Sequence, residues 1–157
     1  MNRSRRFLAL LAALVLTLSG CGFGSDGKDA GGRIIAVGAE NQYADVIAQV
    51  GGKYVDASSI LSNPNTDPHS FEASPSIARK IASAGLVVQN GFGYDEFINQ
   101  LEQASSSSVR RVITVQTLLG KPDSTPNPHL WYDPATMPEV ARAIAVQLGQ
   151  LDPAHKE

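Results

Sequence analysis

Cys21 is the only cysteine in the 157 residues, so no disulfide can form within the chain. Long apolar stretches are missing too: the longest, residues 7–18, is too short for a comfortable membrane-spanning helix. Basic charge is not in excess, with 13 Lys+Arg against 15 Asp+Glu. A mildly acidic chain of this kind has no electrostatic footprint for nucleic acid, and none is expected as a partner. No H-E-x-x-H or similar compact motif of a metal-dependent hydrolase is present. Histidine is scarce, with three in all, which makes their placement informative.

The first thing the sequence does contain is an address. Arg3, Arg5 and Arg6 precede the apolar run, the arrangement of a secretory signal, and Leu18-Ser19-Gly20-Cys21 follows it directly. That tetrapeptide resembles the bacterial lipobox, whose cysteine becomes the lipidated first residue of the mature chain. The other readings of Cys21 are a buried free thiol and an intermolecular bridge; position and context favour lipidation. The protein is therefore expected on the extracytoplasmic face of a cell membrane, anchored by lipid at Cys21. Loss of residues 1–20 removes three arginines and no acid, so 13 Lys+Arg become 10 against 15 Asp+Glu and the formal charge moves from −2 to −5. After Cys21, residues 22–32 are Gly, Ser, Asp, Lys and Ala with one Phe, too little apolar area to order themselves, and residues 21–32 are expected to form a flexible tether. Residues 33–157 are long enough for one domain with a real core.

Within that domain Ile34-Ile35-Ala36-Val37 reads as a buried parallel strand closed by Gly38. Tyr43, Val46, Ile47 and Val50 then recur at helical spacing up to Gly51-Gly52. A second strand is expected over residues 54–61. Ser74 with Pro75 predicts a capped helix bearing Ile77, Ile81 and Ala84. Leu86-Val87-Val88 reads as the third strand, and Asn90-Gly91-Phe92-Gly93 as a turn into a helix through Tyr94, Phe97, Ile98 and Leu101. Residues 105–108 suggest a solvated linker. A fourth strand covers residues 109–115 with Arg110 and Arg111 at its exposed start. Pro134 and Pro138 open a last helix with Val140, Ile144, Ala145 and Leu148 on its apolar face, and Asp152-Pro153 looks like another helix start. Alternation of this kind predicts an α/β fold, a four-stranded parallel sheet with helices on both faces.

Two loops stand out. Residues 62–74 hold Asp67-Pro68-His69-Ser70-Phe71-Glu72, and residues 116–133 hold Asn127-Pro128-His129-Leu130-Trp131-Tyr132-Asp133. Both leave the carboxyl ends of strands, where open α/β sheets collect their ligands, and both exceed the usual 2 to 6 residues or so. Neutral imidazole is the commonest protein ligand for borderline-soft divalent metals, and proline-flanked loops fix its direction. The two near-matching frames make His69 and His129 the candidate metal ligands. Glu72 reads as a helix-start residue rather than a brace for an imidazole, Glu40 as a first-turn acid favoured by the helix dipole, and His155 as a surface residue. Trp131 and Tyr132 either pack over a metal or belong to the core, the latter favoured for Trp131.

Residues 67–76, Asn90-Gly91-Phe92-Gly93-Tyr94 and residues 127–133 together resemble the zinc- and manganese-binding solute-binding lipoproteins of bacterial ABC transporters. The resemblance runs from Arg33 to the end. It implies that His69 and His129 bind metal, Zn2+ preferred and Mn2+ the alternative. It also implies a second α/β lobe supplying a His or Glu and an Asp as further ligands, and delivery to a permease. The chain reaches only to Glu157, so it is expected to be the N-terminal lobe alone, as a fragment or a truncated product. The histidine-rich insertion common in zinc members is absent before His129. A non-enzymatic binding protein is expected. The alternatives are an extracytoplasmic metallohydrolase with Glu72 as base, which would need a third ligand and an open position, and a truncated lobe without competent metal binding.

Overall fold

A computed structural model describes residues 26–63 and 65–156; the signal segment and Cys21 lie outside the described residues. Four strands, β1 (Ile34–Glu40), β2 (Val55–Leu61), β3 (Leu86–Gln89) and β4 (Arg111–Thr114), form one sheet in the order β2-β1-β3-β4. All three pairings are parallel, with Ile34 opposite Val55, Ala36 opposite Leu86, and Leu86 opposite Arg111. The expected α/β sheet is thus present.

Its central strands are apolar on both sides, because each side is covered. Ile34 and Ala36 of β1 and Leu86 and Val88 of β3 face helices α1 (Asn41–Gly51) and α5 (Thr136–Leu151), meeting Tyr43, Ile47, Val140 and Ile144. Val37, Ala39 and Val87 face α2 (Pro75–Ser83) and α3 (Glu96–Ala104), meeting Ile81, Phe97 and Ile98. Gly38 lets α1 lie close against β1: a Cβ there would stand 2.4 Å from the Ala44 nitrogen. Ser74 caps α2, its hydroxyl accepting from the Ile77 amide, with Pro75 at the first helical position.

Several local expectations are corrected. Tyr94 is not helical; the chain holds positive φ at Gly91, Phe92 and Gly93 (98°, 58° and 68°), and α3 starts only at Glu96. Arg110 is buried rather than exposed, its guanidinium donating to the carbonyls of Ala82 and Ser105 and to the Ser105 hydroxyl. The serine linker therefore pairs with a buried cation instead of only meeting water. Ala145 is exposed, while Val140, Ile144 and Leu148 form the buried stripe of α5. A four-residue helix, α4 (Val115–Leu118), begins where strand was expected to end. Asp26 to Gly32, expected as tether, is a hydrogen-bonded turn: the Asp29 carboxylate accepts from the Gly31 and Arg33 amides and from the Arg33 side chain. Among the described residues no helix is long and apolar enough to cross a membrane.

Candidate metal centre

The two histidine loops fold by the same local device. Asp67 precedes a single 3-10 turn (Pro68–Ser70), and its Oδ1 accepts from the His69 amide at 2.9 Å. Asn127 repeats this, its Oδ1 accepting from the His129 amide at 3.0 Å. In each case an Asx side chain two residues before the histidine closes a proline-stiffened turn. Asn127 does more, since its Oδ1 also lies 2.8 Å from His129 Nδ1. An Asn oxygen only accepts, so this contact selects the tautomer with hydrogen on Nδ1 and leaves the Nε2 lone pair free. The sequence signal of the pair is the repeated Asx-Pro-His of residues 67–69 and 127–129.

The strained turn after β3 places Tyr94 between the histidines. Its ring stands edge-on to His69 with centroids 5.9 Å apart and to His129 at 5.2 Å, with Trp131 at 5.3 Å. His69 is exposed and His129 half-buried, so both loops open on one edge of the sheet. Trp131 is half-buried and packs against the core, whereas Tyr132 is 74% exposed. Glu72 is exposed. His155 sits far off, beside the amino-terminal ends of β1 and β2, stacked on Tyr54 at 4.0 Å with Nδ1 3.0 Å from Asp152. It is exposed, as its reading as a surface residue expects.

Asn90, fully buried at the end of β3, ties the site to the core. It accepts from the Tyr43 hydroxyl at 2.8 Å and donates to the Pro128 carbonyl at 2.8 Å, next to His129. Asn90→Leu leaves both partners unmatched in the interior and is expected to cost about 2 to 4 kcal/mol. Urea denaturation checks this; a change below about 0.5 kcal/mol would contradict the clamp.

Glu40 departs from its sequence reading. It precedes α1 but makes no capping bond, and at 3% exposure both carboxyl oxygens lack partners. Burial, with repulsion from Asp95, pushes its pKa up to about 9. Asp95 is raised by burial too, but it accepts from the Asn90 and Gly91 amides, which pull it back. Asp95 is accordingly the anion of the pair and Glu40 the neutral acid. Glu40, Thr66, Tyr94, His129 and Trp131 line one cavity of about 310 Å³. Among the described residues no three His, Cys, Asp or Glu side chains gather into a set able to hold a metal. The chain offers two imidazoles on one edge rather than a closed coordination sphere.

The sequence model of the family described as zinc-uptake complex component A, periplasmic, matches residues 37–157. The manganese-binding lipoprotein MntA of Bacillus subtilis is 28% identical over 157 residues, covering 94% of this chain and 51% of the relative. The manganese ABC transporter substrate-binding lipoprotein PsaA of Streptococcus pneumoniae is 27% identical, covering 100% and 54%. The chain spans about half the length of the curated relatives it matches. Among solved structures, the periplasmic zinc-binding protein TroA of Treponema pallidum superposes with a TM-score of 0.65 at 21% identity, covering 77% of this chain and 45% of that one. A manganese-bound periplasmic metal-binding protein of Candidatus Liberibacter asiaticus gives 0.65 at 23%, with 77% and 46% covered. At these identities the structural likeness speaks for the fold.

Proposed function

The chain belongs to the family of periplasmic zinc-uptake complex component A, and from that premise we propose that it is the N-terminal lobe of a solute-binding protein that captures a divalent metal ion outside the membrane and hands it to an ABC permease. His69 and His129 are the metal ligands of this lobe. The metal is cargo, taken up and released unchanged, and no catalytic step is involved. One observation carries the reading: two Asx-Pro-His turns from different strands open on the same edge, both imidazoles resting on the Tyr94 ring. Imidazole nitrogens suit Zn2+ in a four-coordinate sphere and are tolerated by Mn2+ when oxygen ligands complete a larger one. Zinc is the preferred cargo on the two nitrogen donors; the family description names zinc and the curated relatives name manganese.

With two ligands from this lobe, open positions are filled by water, and bound metal exchanges readily. Calorimetry of ZnCl2 binding tests this on the chain and on a protein extended by a second lobe. Weak binding by the first and tight binding by the second are expected, and equal, tight binding by both would contradict the reading.

The anchor is part of the same proposal. Its support is the lipobox-like residues 18–21 behind an apolar signal run, together with relatives named as lipoproteins. Cys21→Ala is expected to release the protein from the membrane fraction or leave it as unprocessed precursor. Wild-type fractionation and gel mobility would contradict it.

A further inference from the structure

Glu40 closes β1 at the edge where the histidine loops open, and nothing around it explains a carboxyl there. It caps no helix amide, and among the described residues no lysine, arginine or histidine pairs with it. Trp131 Nε1 is also buried without an acceptor. A donor and an acceptor, both unpartnered and both in residues lining the His129 cavity, mark a polar space whose guest supplies the missing hydrogen bonds. Each such group left unmade costs on the order of 1 to 3 kcal/mol, more than a fold retains without a use.

The guest follows from the ligand count. A dication held by two imidazoles keeps water on its remaining positions, and a six-coordinate ion such as Mn2+ keeps more of it than tetrahedral Zn2+. Metal-bound water is a strong donor, and a carboxyl oxygen accepts from it. We propose that Glu40 is a specificity-determining residue of this lobe: its carboxyl accepts the hydrogen bond of a water carried by the ion at His129, and so raises the affinity for a six-coordinate dication such as Mn2+ more than for Zn2+, narrowing the preference for zinc that the two imidazoles set. This rests on the metal-capture reading above. Glu40 acts on the ion through water, as a positioning residue, and Trp131 donates to the same water.

The test measures Mn2+ and Zn2+ affinities separately, by competition with a chelator, for the wild type, Glu40→Gln, Glu40→Asp and His129→Ala. Glu40→Gln keeps the shape and exchanges the carboxyl for an amide; it is expected to lose about tenfold or more in Mn2+ affinity and less than about threefold in Zn2+ affinity. Glu40→Asp, which keeps a carboxyl one methylene further back, is expected to fall between, and serves should the glutamine variant not fold. Equal losses for both metals, or no loss in either variant, overturn the role of Glu40. His129→Ala is expected to weaken both metals; unchanged binding in that variant overturns the underlying site, whatever Glu40 does.

Discussion

Alanine at both His69 and His129 is expected to lower the affinity for Zn2+ by roughly a hundredfold or more, with no comparable loss of stability. Each imidazole sits at the end of a turn whose closing bonds use the backbone amide and the preceding Asx oxygen, so truncating the ring leaves the turn intact. His69 is exposed, and alanine there removes no core contact. The single variants should each lose most of the binding, since one nitrogen cannot hold a dication against water. His155→Ala is the control: its ring is committed to Asp152 and Tyr54 at the far end of the sheet and should leave binding unchanged. Chelator competition at pH 7.5 reads the effect.

Glu40→Gln is expected to stabilise the metal-free protein at alkaline pH. A carboxyl with a folded pKa of about 9 stays protonated where the unfolded chain, at about 4.3 for an ordinary glutamate, is already ionised. Between those values the folded state binds more protons, so stability is highest below the lower one and falls as pH rises toward the upper. Glutamine carries no titrating proton and escapes that decline. The variant should match wild type near pH 4 and exceed it by on the order of 5 kcal/mol at pH 8, read from melting in the presence of a chelator. Parallel pH profiles for the two proteins would contradict the assignment of a neutral buried acid. Taken with the metal experiment, the same substitution would raise stability and lower manganese affinity, the trade expected of a group kept for binding.

The layered fold could be read from the chain because its cause is local. Ile34-Ile35-Ala36-Val37 and Leu86-Val87-Val88 have no polar alternation, which only a strand covered on both sides permits, and the structure covers them with α1 and α5 on one side and α2 and α3 on the other. The histidine loops were legible through proline and unusual length. Glu40 is not legible, because the residues that share its cavity, Tyr94 and Trp131, come from other segments, while locally it looks like any acid before a helix. Arg110 misled in the same way: two arginines in a row look solvent-facing, but one turns inward to the carbonyls of Ala82 and Ser105. The spacing of Tyr94 to Phe97 and Ile98 is helical and predicts a helix through all three. The left-handed run of Gly91, Phe92 and Gly93 delays α3 and leaves the tyrosine free to stand between the imidazoles.

The central claim, that His69 and His129 bind one metal ion, is tested most directly by the X-ray absorption spectrum of zinc bound to the protein. Two imidazoles at about 2.0 to 2.1 Å, completed by oxygen, are expected for this chain, with the imidazole signal lost in the double alanine variant. A shell without imidazole, or one that persists after both histidines are replaced, would contradict it.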